Sequence, residues 1–141
     1  MDALTHPMEA YLSKLSNPES DALAIEAITT IFKVLLVCYE DGGNLDARQA
    51  MAEASLTAGK AFRKVMLGYV HAISHQLGAV YGTAHGLGNA MLLPLVVDYS
   101  KEKMAGKLAK LAIATGLGGD DLIEAQLAQL VVDKLTSLNK Q

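Results

Sequence analysis

Aromatic side chains are scarce in this sequence, at 5% of 141 residues, although apolar residues of all kinds reach 51%. A core must therefore be built from Ala, Leu, Ile, Val and Met rather than from stacked rings, which favours helices over a sheet. Proline occurs only at positions 7, 18 and 94, so long stretches are free to continue a helix. A single cysteine, Cys38, excludes an intrachain disulfide. Its place in Val34-Leu35-Leu36-Val37-Cys38-Tyr39 reads as a buried, inert thiol in a reducing, cytoplasmic setting. A basic surplus is missing as well. Twelve Lys and Arg against 15 Asp and Glu give a formal net charge of -3, which offers no grip on a phosphate backbone and argues against nucleic acid as a partner. The strongest uninterrupted apolar runs, Val34 to Tyr39 and Met91 to Val97, fall far short of the roughly 20 residues that span a bilayer. Met1-Asp2-Ala3-Leu4-Thr5-His6 lacks the basic-then-apolar order of a signal peptide. Neither membrane anchorage nor secretion is expected.

What is present is helical periodicity. Apolar residues recur three and four apart along nearly the whole chain, and the length suits one domain, residues 1–141, around one core. A first helix is expected from Asp2 to Leu15. Asn17-Pro18 reads as an N-cap with proline in the first turn of a second helix, whose stripe is Ile25, Ile28, Phe32, Leu35 and Tyr39. Asp41-Gly42-Gly43-Asn44 would end it with residues that accept positive φ. A third helix from about Asp46, rich in Ala, Ser and Gly, permits close approach of a neighbour and is expected to be central. Tyr81-Gly82-Thr83-Ala84-His85-Gly86 reads as a loop feeding another helix. Leu108, Leu111 and Thr115 mark a further one closed by Gly116, and a last helix follows Gly118-Gly119-Asp120. The expected architecture is all-α, a bundle of about six helices, without the run of β-branched strands that a parallel nucleotide-binding sheet needs.

Five residues stand out against this packing pattern. Asp2 and His6 are four apart, so on a helix they share a face and can reach one ion; equally, Asp2 can cap the helix with His6 on the surface. His71 and His75 repeat that spacing among apolar neighbours, as core histidines with satisfied hydrogen bonds or as a metal pair. His85, at a loop-helix junction, can serve as a cap or as a ligand. All four histidines and one carboxylate thus fall into two clusters.

These clusters carry a resemblance. Met1-Asp2-Ala3-Leu4-Thr5-His6 is similar to the Met-Asp-Ala-Leu-x-His stretch of iron-type (group III) alcohol dehydrogenases, where the methionine is internal. Ala58-Gly59-Lys60-Ala61-Phe62, the segment Leu67 to Gly78 with its His71-x-x-x-His75, and His85-Gly86-Leu87-Gly88-Asn89-Ala90 leading to Leu93-Pro94 resemble the same family's signature. The resemblance implies the dehydroquinate synthase-like helical domain of that family, with Asp2, His6, His71 and His85 as metal ligands. His75 would stay outside that set, facing the nicotinamide as a proton relay or substrate-orienting group. Spacing alone would have paired His71 with His75. One carboxylate and three imidazoles suit Fe(II), Zn(II), Mn(II) or Co(II), with iron the family's usual ion. The complete enzyme would oxidise an alcohol, or reduce an aldehyde or ketone, by hydride transfer with NAD(P).

The same resemblance leads one to expect a preceding α/β nucleotide-binding domain that these 141 residues lack, so the chain reads as a partial domain, inactive alone. Gly116-Leu117-Gly118-Gly119 follows a helix, not a strand, and reads as a helix terminator rather than a phosphate loop. Arg63-Lys64-Val65-Met66 replaces a more polar stretch of many relatives. Two other readings compete: a free-standing metal-binding module, and an interaction domain whose exposed apolar face is covered by a second copy or a complementing chain.

Overall fold

The computed structural model describes residues 1–63 and 65–140; Lys64, within the stretch that departs from the family pattern, lies outside them. Among the described residues there are seven helices and no strand: α1 (Asp2–Leu12), α2 (Pro18–Glu40), α3 (Leu45–Phe62), α4 (Tyr69–Tyr81), α5 (His85–Ser100), α6 (Ala105–Ala114) and α7 (Glu124–Leu138). The all-α expectation is met. The count exceeds six because the segment ahead of the expected loop at Tyr81 to Gly86 is a helix of its own, α4, which Gly82 ends in the left-handed region at φ 67.

The chain divides into two compact units, one of residues 3–67 and one of residues 1–2 with 68–141. In the first, α2 and α3 form a helical hairpin. Asn17 caps α2 by accepting from the backbone of Glu19 and Ser20, both at 3.1 Å, while the Ser20 hydroxyl accepts from Asn17 N–H at 2.9 Å. That reciprocal arrangement satisfies donors that every helix start leaves open. Ala24, Ala27, Ile28 and Ile31 of α2 are buried, as are Ala47, Ala54, Ala58 and Ala61 of α3. Small side chains let the two backbones approach, but α3 is not central: Leu45 and Leu56 are exposed on its other side. Of the expected α2 stripe only Ile28 is buried, and Tyr39 is exposed. Cys38 is partly exposed rather than buried.

The hairpin closes without positive φ. Asp41 accepts from Gly43 N–H at 3.0 Å and Asn44 caps α3 through Ala47 N–H at 3.0 Å, so side chains make the turn instead of left-handed glycines. The expectation of positive φ at Asp41 to Asn44 is corrected accordingly. By length and composition alone α2 qualifies to cross a bilayer, with 23 residues and a mean hydropathy of 1.9 over its most apolar window. Uninterrupted apolar runs do not reveal it, because Glu26 and Lys33 break the apolar stretch into short pieces. Its buried alanines and isoleucines make it a core helix of the hairpin.

In the second unit α4 packs on α5, α5 on α7 and α6 on α7. Pro94 lies inside α5, where its missing N–H leaves the carbonyl of Ala90 without its helical donor. The Asn139 side-chain amide, just past α7, donates to that carbonyl at 2.5 Å and restores the bond. Gly116 ends α6 at φ 74, with Leu117 N–H returning to Ala112 O at 2.9 Å, so the glycine cluster is a helix terminator here.

Candidate metal centre

The α4–α5 pair carries the polar interior. His71 and Ser74 on α4 and Asn89 on α5 are buried, in a chain whose interior is otherwise almost entirely apolar. The helices come close where Gly88 faces Ser74: a Cβ on Gly88 would lie 2.5 Å from the Ser74 hydroxyl. Ser74 in turn donates to the carbonyl of His85 at 3.4 Å, tying the start of α5 to α4. This crossing sets the separation of the His71 and His85 rings at 5.3 Å between centroids.

Asp2 completes the cluster. Its Oδ1 lies 3.5 Å from His71 Nε2 and 3.2 Å from His85 Nε2. The Asn89 amide nitrogen donates to the same Asp2 oxygen at 2.6 Å and lies 3.1 Å from His71 Nε2 and 3.2 Å from His85 Nε2. Four side chains therefore converge on one point. His75 is exposed, one turn beyond His71, with its ring stacked on His85 at 5.2 Å and 5.8 Å from His71. His6 follows Asp2 by one turn of α1, half-buried, its ring edge-on to Phe62 at 5.1 Å.

Metal chemistry fits the Asp2–His71–His85 set on its own geometry. With metal–ligand bonds of about 2.0–2.2 Å, tetrahedral donors stand about 3.3–3.6 Å apart. The two separations from Asp2 Oδ1, 3.5 and 3.2 Å, match that spacing. A carboxylate oxygen beside imidazole nitrogens suits first-row divalent ions rather than calcium or a soft thiolate-seeking metal. Spacing arguments from sequence favoured His75 over His85. The break at Gly82 and the tight crossing at Gly88 bring His85 round instead, and neither is visible as periodicity. Asn89 belongs to the same motif as His85, and its position one turn later on α5 places it beside that imidazole.

The model of the Fe-containing alcohol dehydrogenase family, C-terminal, matches residues 1–141. The chain is 46% identical over 139 residues to the 1,3-propanediol dehydrogenase of Citrobacter freundii, covering 99% of this chain and 36% of that protein. It is 38% identical over 140 residues to the NAD-dependent methanol dehydrogenase of Bacillus methanolicus, covering 99% of this chain and 37% of that protein. A crystal structure of a 1,3-propanediol oxidoreductase superposes with a TM-score of 0.95 at 44% identity, over 99% of this chain and 37% of that one. The chain thus spans little more than a third of the length of these relatives. With the family model matching residues 1–141 and the helical fold superposing over 99% of the chain, the chain belongs to the Fe-containing alcohol dehydrogenase family and corresponds to its C-terminal, all-helical region.

Proposed function

We propose that residues 1–141 act as one metal-binding helical domain in which Asp2, His6, His71 and His85 hold a divalent ion, Fe(II) foremost, with Zn(II), Mn(II) and Co(II) compatible. The observation that carries this reading is the convergence of Asp2 Oδ1, His71 Nε2 and His85 Nε2 at separations suited to one ion. His6 joins the set on its helical spacing from Asp2 and on the family resemblance. When bound, the ion supplies a Lewis acid for an alcohol or carbonyl oxygen, and NAD(P) supplies the hydride acceptor or donor. His75, exposed and stacked on His85, is proposed to face the nicotinamide and move a proton or orient substrate from its ring nitrogens.

In the complete enzyme the substrate is a small alcohol, aldehyde or ketone. The 141 residues alone are proposed to be inactive, because the resemblance assigns the nucleotide-binding fold to a region N-terminal to the matched span. The setting is cytoplasmic. A partner surface is suggested by α5, where Leu87, Met91, Leu95 and Tyr99 are exposed at a four-residue spacing. A second copy or a complementing chain would cover it.

Metal analysis of the purified chain, run beside an NAD(P)H fluorescence titration and an alcohol oxidation assay, tests these statements together. One ion per chain, no nicotinamide binding and no turnover is the expected triplet. Turnover by the chain alone would refute the inactivity, and a well-folded chain that takes up no ion would refute the metal reading.

A further inference from the structure

The Asn89 side chain is fully buried, and its carbonyl oxygen Oδ1 has no hydrogen-bond partner. An unsatisfied buried carbonyl of this kind is destabilising, so its retention asks for a reason. The reason lies at the other end of the amide. Nδ2 donates to Asp2 Oδ1 at 2.6 Å and lies 3.1 Å from His71 Nε2 and 3.2 Å from His85 Nε2, whose donor or acceptor roles depend on the tautomer. A carboxylate only accepts, so the NH2 end must face Asp2; imidazole nitrogens free to hold an ion are acceptors too, which leaves two protons for three partners.

Lone-pair counting separates the three contacts. A carboxylate oxygen has two lone pairs and can receive Asn89 through one while giving the other to an ion. An imidazole Nε2 has one lone pair and cannot do both. The contact to Asp2 is therefore the one compatible with metal binding, and it is also the shortest.

We propose that Asn89 is the positioning residue of the metal centre, its buried amide holding the Asp2 carboxylate in the orientation that directs it, with His71 and His85, at a single ion. This rests on the metal reading above. Asn89 itself is no ligand through nitrogen, since an amide nitrogen has no free lone pair. It acts through Asp2.

The test is zinc affinity by competition with a chromophoric chelator, for the parent chain, Asn89→Ala and Asn89→Leu, repeated in an Asp2→Ala background. Asn89→Leu fills the same space without donors and removes the unsatisfied oxygen, so it keeps the fold in case Asn89→Ala does not. Both variants are expected to bind zinc 10- to 100-fold more weakly, roughly the range seen for groups that orient metal ligands. In the Asp2→Ala background the Asn89 substitutions should add less than about twofold, because the residue acts through the missing carboxylate. Parent-like affinity in Asn89→Leu, or an undiminished loss in the Asp2→Ala background, would overturn the positioning role while leaving the metal reading intact. A parent chain that binds no zinc would overturn both.

Discussion

The α2–α3 hairpin and the α4–α5 pair are both two-helix units joined by short loops, and they are held together by different means. In the hairpin, Asn17 and Asn44 cap the helices and small apolar residues fill the interface. In the α4–α5 pair neither helix start has a side-chain cap, a proline sits inside α5, and the interface contains His71, Ser74 and Asn89. Local rules and global packing agree in the first region and diverge in the second. Such divergence persists where a site requires it, and here it coincides with the residues that converge on Asp2. Stability and chemistry are therefore expected to separate under mutation.

The sharpest way to break that comparison is to damage the hairpin core. Ile31→Ala, at a fully buried position, is expected to cost about 2–5 kcal/mol in denaturant unfolding while one ion per chain is still bound under native conditions. Loss of metal in the still-folded variant would show that the two regions do not separate. Gly88→Ala probes the other side: the added methyl must displace the Ser74 hydroxyl and its bond to His85, costing about 1–3 kcal/mol and weakening metal binding together. Parent-like zinc affinity in Gly88→Ala would mean that the crossing does not set the ligand geometry.

Smaller effects sharpen the contrast. Asn17→Ala removes the α2 cap and should cost about 1 kcal/mol with zinc affinity unchanged. Tyr11, buried in the first unit, has its phenol pushed above the ordinary value of 10.0, chiefly by burial and secondarily by the negative charge of Asp21. A raised folded-state value means that this contribution is fully present below pH 10.0 and is lost as pH climbs toward the folded value. Thermal melts of Tyr11→Phe should therefore decline less steeply above pH 10.0 than those of the parent chain.

The hairpin was legible because its determinants are local. Asn17-Pro18 marks a helix start within two residues. Its closing turn was misread because Asp41 and Asn44 bond the backbone through their side chains, which leaves Gly42 and Gly43 no need of positive φ. In the candidate metal centre, spacing picks out the two clusters, and the choice of His85 over His75 comes only from resemblance. Asp2 and Asn89 are 87 positions apart, and no periodicity links them. Whether His75 or His85 joins His71 depends on a left-handed residue at Gly82 and on the missing side chain at Gly88, which a count of helical spacings passes over. The role of Asn89 was hidden for the same reason, since its partners are brought in by two other helices.

Titration of the purified chain with cobalt(II), followed by visible absorption, tests the central claim most directly. One equivalent of cobalt giving a four-coordinate spectrum, abolished in Asp2→Ala, His6→Ala, His71→Ala and His85→Ala and retained in His75→Ala, is the expected result. A parent chain with no cobalt band, a band that survives His71→Ala, or one lost in His75→Ala would contradict it.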